Sequence, residues 1–68
     1  MGMAYYKLFD LLARRGMKKG ELAALAKISK GTMAKLGKNE VVQTDILERI
    51  CDVLNCQPAD IMEYIDEN

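Results

Sequence analysis

Residues 19–38, KGELAALAKISKGTMAKLGK, contain two short helical patterns that meet at KIS, and neither proline nor glycine breaks the chain there. Ser29 accounts for the break, because its side chain can accept a hydrogen bond from the free backbone amide of Thr32 and start a new helix. The apolar residues before KIS span only about two helical turns. Two short helices joined by a tight turn are therefore the feature that most restricts the fold.

Apolar residues at helical spacing predict three further helices. The first segment has apolar residues at i, i+3, i+4 and i+7 before Gly16, which can end a helix. The segment ILERICDVL carries the strongest apolar stripe, and Pro58 suits the first position of a final helix. We expect five helices, at about residues 5–15, 19–26, 30–37, 45–54 and 58–65.

The composition favours an all-α fold. Half of the 68 residues are hydrophobic, and β-branched residues are too sparse to form the alternating runs typical of strands. Because a chain of this length forms one domain, we expect residues 1–68 to make a compact bundle of five short helices. No apolar run approaches the roughly 18 residues of a membrane span, and the first residues lack the features of a signal peptide. We therefore expect a cytoplasmic protein without membrane contact.

The two cysteines, Cys51 and Cys56, are five residues apart. A rotation of about 100° per residue would put them on different sides of a continuous helix, so we expect buried apolar residues that do not form a disulfide. The chain has no histidine and no further cysteine pair, which argues against a zinc site. No metal and no cofactor are predicted.

The charge of the chain is strongly asymmetric. Residues 1–38 contain nine Lys or Arg and two acidic residues, a net charge of +7, whereas residues 39–68 contain one Arg and eight acidic residues, a net charge of −7. A positive half indicates a polyanionic partner. The alternative is that the two halves attract each other within the fold, but lysines of the broken helix pair are badly placed to meet acids of a later helix.

The second short helix has a basic face. Its small and basic residues share one arc of the helix: Lys30, Gly31, Ala34, Lys35 and Lys38. The apolar residues Met33 and Leu36 lie outside this arc. Small residues between lysines let another molecule approach closely while the ammonium groups reach past them, which suits a DNA major groove about 12 Å wide. The alternative is an ordinary solvated helix face.

Several positions of the stretch form a known pattern. Leu22 and Ala23 lie where two helices could cross closely, Ala26 and Ile28 flank the turn, and Ser29 caps the following helix. In these positions the stretch resembles the helix-turn-helix of the phage-repressor (Cro/cI-like) family of bacterial transcription regulators. The flanking segments RRGM and LERICDVLNCQPADIMEYI look like those of a compact, stand-alone subfamily.

The resemblance covers roughly residues 5–65 and implies a lambda-repressor-like fold with its motif at about 19–38. It implies a DNA-binding transcriptional regulator, a repressor, that places helix 30–37 in the major groove of double-stranded DNA as a homodimer. No small-molecule ligand is expected. The residues expected to contact DNA are Lys18, Lys19, Ser29, Lys30, Gly31, Thr32, Lys35, Lys38 and Asn39.

Three positions depart from the family pattern. Lys27 stands where glycine is usual, so we expect it to take a positive φ at a cost of about 1 kcal/mol. Lys19 stands where glutamine is common, and lysine binds phosphate more readily than it reads a base. Gly31 stands where relatives tend to carry a polar side chain over the bases. These departures, and the lack of Arg, Gln or Asn on the basic arc, predict shallow sequence selectivity.

Two other classes of function compete with DNA binding. One is a protein-interaction module, such as an antitoxin-like or accessory factor, whose acidic C-terminal half grips a basic partner. The other is an enzyme, which we do not expect. Without histidine, with Ser29 committed to capping and with the carboxylates on solvent faces, no acid–base or nucleophile pair assembles.

Overall fold

The structure, a computed structural model, describes residues 2–66 of the chain. Four α-helices make it mostly helical, and a short strand lies near each end. In chain order the elements are β1 (Gly2–Ala4), α1 (Tyr6–Arg15), α2 (Lys19–Ala26), α3 (Lys30–Gly37), α4 (Thr44–Leu54), a 3₁₀ turn (Pro58–Asp60) and β2 (Glu63–Ile65).

The predicted fifth helix at 58–65 is wrong. Pro58 does begin a helical turn, and the Asp60 carboxylate accepts a hydrogen bond from the Gln57 amide at 2.9 Å, but this turn is a single 3₁₀ turn. The chain then extends as β2 and pairs antiparallel with β1, with Met3 opposite Tyr64. Because the pairing partner lies at the other end of the chain, local periodicity could not reveal this strand.

Three residues in the left-handed region terminate helices. Gly16 ends α1 with φ 67°, as predicted from its lack of a side chain. Asn55 ends α4 with φ 52°, and asparagine tolerates this region better than most residues. Lys27 ends α2 with φ 57° and ψ 49°, so the predicted positive φ at this lysine is confirmed.

The hydrophobic core fixes the helix pair against the rest of the fold. Leu22 of α2 and Leu36 of α3 are fully buried with Ile50 of α4, and Ile28 of the turn is 7% exposed. Arg49 of α4 adds a polar contact, since its guanidinium donates to the Lys27 carbonyl at 3.2 Å. The relative orientation of α2 and α3 is therefore set by apolar burial, together with one hydrogen bond to the turn itself.

The ends of α1 and α4 are also joined. The Arg15 guanidinium donates a hydrogen bond to the Leu54 carbonyl, one of the acceptors that a helix end leaves without a partner. Leu8 and Leu12 of α1 reach the same core.

Across the described part of the chain, no helix combines the length and the apolar character that crossing a bilayer requires.

Candidate DNA interface

The turn between α2 and α3 is built by local hydrogen bonds. The Ile28 amide donates to the Ala23 carbonyl at 2.9 Å and closes α2. The Ser29 hydroxyl oxygen accepts from the Thr32 amide at 3.2 Å, so the predicted cap is confirmed. The Ser29 hydroxyl also donates to Thr32 Oγ1 at 3.0 Å. Both hydroxyls therefore have a structural partner at the start of α3.

The basic arc of α3 faces solvent. Lys30, Ala34 and Lys35 are exposed, as is Gly31, whereas Leu36 on the opposite side is fully buried. A Cβ added at Gly31 would meet only Ser29 Oγ, at 4.0 Å, so the surface is open at this point. The helix thus presents a small and positively charged face, which is the kind of surface that can lie close to a polyanion.

Lys38 and Asn39 follow the end of α3. Lys38 is exposed and occupies the C-cap of the helix, and Asn39 takes a positive φ of 58°. The Asn39 side-chain oxygen accepts a hydrogen bond from the Tyr5 amide at 3.0 Å. This contact, which the sequence did not predict, connects the end of α3 to the segment before α1. Asn39 is half-buried, so its first role in the structure is to position the chain.

The start of α2 contributes two further lysines. The Lys18 amide donates to Glu21 Oε1 at 3.0 Å, which caps the helix, and the Lys18 side chain is exposed. Lys19 Nζ lies 4.7 Å from the centre of the Phe9 ring, a cation–π contact that orients this ammonium group. Lys19 and Lys30 line the same concavity of about 190 Å³. The structure therefore brings the N-terminal ends of α2 and α3 together on one positive surface.

Gln43, the N-cap residue of α4, is a further candidate that the helical patterns of the sequence did not indicate. It is exposed and lines a groove of about 590 Å³ together with Thr32 and Lys35 of α3. A glutamine amide can donate and accept, and it can form two hydrogen bonds with adenine. The helical pattern of α3 could not indicate Gln43, because this residue lies outside α3 and reaches the groove from the loop before α4.

The ion pairs between described side chains lie within single helices. Arg14 pairs with Asp10 at 3.0 Å and Arg49 pairs with Asp45 at 3.4 Å, each at i, i+4 spacing. Such exposed pairs contribute little to stability. Neither pair joins a lysine of α2 or α3 to the acidic half, so neither of these two pairs neutralises the basic surface. Within residues 2–66, no three His, Cys, Asp or Glu side chains come together in a way that could hold a metal ion.

Comparison with known protein families identifies the family to which this helix pair belongs. Residues 7–67 match the Cro/C1-type HTH DNA-binding domain. The chain belongs to this family. The resemblance expected from Leu22, Ala26 and Ser29 is thereby confirmed, and the family is one of DNA-binding regulators rather than a known class of enzyme.

Two relatives of the Cro/C1-type domain show how far the similarity extends. YozG of Bacillus subtilis (strain 168), described as an uncharacterized HTH-type transcriptional regulator, is 39% identical over 56 residues, which is 79% of this chain and 67% of YozG. The crystal structure of the transcriptional regulator VanUg superimposes with a TM-score of 0.91 at 51% identity, covering 98% of this chain and 92% of VanUg. Neither similarity favours the protein-interaction alternative.

Proposed function

We propose that this Cro/C1-type domain is a cytoplasmic transcriptional repressor that binds double-stranded DNA as a homodimer. The observation that carries the proposal is the exposed face of α3, where Lys30 and Lys35 flank Gly31 and Ala34 without a carboxylate partner among the described residues. A helix of this kind can enter the major groove with its lysines directed at base edges and phosphates. The regulator names of both relatives support the same conclusion.

The proposed contacts divide into two groups. Lys30 and Lys35 lie on the arc that would face the base edges, with Gly31 allowing close approach. Phosphate contacts come from the lysines around this arc and from the hydroxyls at its start. The proposed DNA-contacting residues are Lys18, Lys19, Ser29, Lys30, Gly31, Thr32, Lys35, Lys38 and Asn39, with Gln43 added from its place beside α3.

Phosphate contacts are expected to dominate affinity. On the arc of α3, lysine is the only residue type that can reach a base, and lysine does not present the flat pair of donors with which arginine recognises guanine. Each well-formed bidentate pair discriminates between bases by about 1–3 kcal/mol. With few such pairs on α3, we expect shallow selectivity. Because Gln43 can form a bidentate pair with adenine, we expect it to contribute the strongest base preference beyond that of α3.

The homodimer follows from the size of the motif. One helix-turn-helix covers one half-site, and two half-sites separated by about 34 Å require two copies. The apolar cross-strand pair Met3 and Tyr64 is a suitable contact surface for a second copy, because Tyr64 is 60% exposed and Met3 is 37% exposed. Val41 is 89% exposed and lines a surface groove together with Met3. A second copy that covers these three side chains would remove their apolar surface from water, which favours association.

Selection of bound sequences from a random double-stranded DNA pool tests the proposal. We expect enrichment of two related half-sites with inverted symmetry, spaced by about one helical turn. The Gln43→Ala variant should bind the selected DNA with a weaker base preference at one position of each half-site. Enrichment of no sequence would indicate charge attraction alone and would contradict the proposal.

A further inference from the structure

The C-terminal end of α4 brings the two cysteines together. The helix ends at Leu54, Asn55 turns into the left-handed region, and the Cys56 amide donates to the Cys51 carbonyl at 3.0 Å. In a helix end of this kind, the side chains of the two residues joined by the bond commonly touch. The expectation that Cys51 and Cys56 lie on different sides of a helix is therefore wrong, because the helix does not continue between them.

The two thiols are neighbours and can be reached from solvent. Both are free and partly exposed, and both line an open groove of about 650 Å³ with Pro58 and Met62. The pKa of the Cys56 thiol is raised, first by burial, then by the negative charge of a Cys51 thiolate and by a hydrogen bond with Cys51. Asp60 raises the same pKa and Arg15 lowers it. The two cysteines therefore lie beside each other at the helix end, in a groove wide enough to admit a small reagent.

We propose that Cys51 and Cys56 form a redox site that a low-molecular-weight disulfide converts reversibly into an intramolecular disulfide. One cysteine thiolate attacks the reagent, which forms a mixed disulfide and releases one thiol. The second cysteine then attacks the protein sulfur of the mixed disulfide and releases the other thiol. Two cysteine thiols are oxidised and one disulfide reagent is reduced to two thiols, and excess reduced thiol reverses both steps.

This site shares no residue with the proposed DNA contacts. None of the residues proposed to contact DNA lines the groove that holds the two thiols. The cross-link would join the last turn of α4 to the segment leading to the 3₁₀ turn, two elements already held together by the Cys56 amide. We therefore expect oxidation to leave the fold intact, because this backbone bond already holds the two cysteines beside each other in the reduced protein.

Intact-mass spectrometry after exposure of the folded chain to oxidised glutathione tests the site. The wild-type protein should lose two hydrogen atoms and retain no glutathione. The Cys51→Ser and Cys56→Ser variants cannot complete the second step, so each should keep one glutathionyl group. Retention of glutathione by the wild-type protein at the level of the single variants, or a covalent dimer as its main product, would overturn the proposal.

A second measurement separates a folded site from chance proximity in a flexible chain. In a fixed mixture of reduced and oxidised glutathione, the ratio of disulfide to dithiol should be at least about tenfold higher in native buffer than in denaturing urea. By linkage, the oxidised protein should melt at a higher temperature than the reduced one. An equal or smaller ratio in native buffer, or a melting temperature that does not rise on oxidation, would show that the fold does not favour the bond and would overturn the proposal.

Discussion

The Tyr5 amide donates a hydrogen bond to the Asn39 side-chain oxygen at 3.0 Å and so joins the start of α1 to the end of α3. Asn39 makes this contact from a backbone with φ 58°, a region that most side chains avoid. One asparagine therefore serves both the turn after the basic helix and the packing of the N-terminal segment. This relationship ties the position of α3 to a residue that is itself buried in the core.

Replacement of Asn39 should separate the two roles. Asn39→Ala loses the acceptor and disfavours the positive φ, and we expect it to lower the free energy of unfolding by about 1–3 kcal/mol. Asn39→Gly should recover part of this loss, because glycine adopts a positive φ without strain. Asn39→Asp should recover most of it, because the carboxylate can still accept the hydrogen bond from the Tyr5 amide. Urea denaturation measures all three variants. Equal stability of Asn39→Ala and wild type would mean that the Tyr5 contact contributes nothing.

Lys27→Gly should stabilise the fold. Lys27 has φ 57° at the turn of the motif, and glycine adopts this region without the steric strain of a side chain. We expect a gain of roughly 0.5–1 kcal/mol in the free energy of unfolding, measured by thermal or urea denaturation. The Arg49 bond should survive because it is made to the backbone carbonyl. Lys27→Ala is the matched control, since it removes the charge and keeps the strain. A gain in Lys27→Ala equal to that in Lys27→Gly would assign the effect to charge.

Stability should fall at alkaline pH through Tyr5. Burial raises the pKa of the Tyr5 phenol above its ordinary value of 10.0. The folded state then holds the phenolic proton more tightly than the unfolded state, so this contribution is present below about pH 10 and is lost as the pH rises through the folded pKa. Unfolding measured between pH 8 and 11 should show a shallower alkaline loss in Tyr5→Phe than in wild type. Tyr6→Phe, a change at an exposed tyrosine, should follow wild type, and identical curves for both variants would refute the assignment.

Tyr64 should contribute to the dimer. Tyr64 and Tyr6 are each 60% exposed, which makes Tyr6→Ser a matched control for Tyr64→Ser. Loss of an aromatic contact at an interface commonly costs more than 1 kcal/mol, so Tyr64→Ser should raise the dimer dissociation constant by about tenfold. Sedimentation equilibrium measures the effect, with circular dichroism to verify that both variants fold. A dimer equally weakened by both changes, or by neither, would place the interface elsewhere.

Features set by neighbouring residues were accessible from the sequence. Ser29 and Thr32 lie three apart, so the cap could be predicted from spacing alone, and the family pattern placed the positive φ at Lys27. The basic arc of α3 could be predicted because helical periodicity separates Lys30 from Leu36. Whether these lysines contact DNA stays a prediction.

Features that depend on distant residues were not accessible. The strand Glu63–Ile65 exists because it pairs with Gly2–Ala4, and its Tyr and Ile could also be read as one side of a helix. The approach of Cys56 to Cys51 depends on the left-handed turn at Asn55, which local spacing did not reveal. Gln43 lies beside α3 because of the path of the loop that leads into α4, so the pattern of α3 alone could not predict its place in the groove.

The central claim, that the basic face of α3 binds DNA, is tested most directly by the salt dependence of DNA affinity in lysine variants. If each subunit contacts about four phosphates, the logarithm of the dimer's affinity should fall against the logarithm of salt concentration with a slope near −7. Lys38→Ala should reduce the slope by about 2 in the dimer and weaken all sequences alike, whereas Lys30→Ala and Lys35→Ala should also change the preferred sequence.

Lys7→Ala provides the matched control, because Lys7 lies on α1 and its ammonium group donates to the Ala59 carbonyl at 3.3 Å, away from α3. Fluorescence anisotropy with labelled DNA measures the slopes, and circular dichroism verifies that each variant is folded. We predict that Lys7→Ala keeps the wild-type slope and preference, whereas Lys30→Ala and Lys35→Ala each reduce the slope and change the preferred sequence. Folded Lys30→Ala and Lys35→Ala variants with wild-type affinity and preference would contradict the account and leave the face as a solvated helix surface.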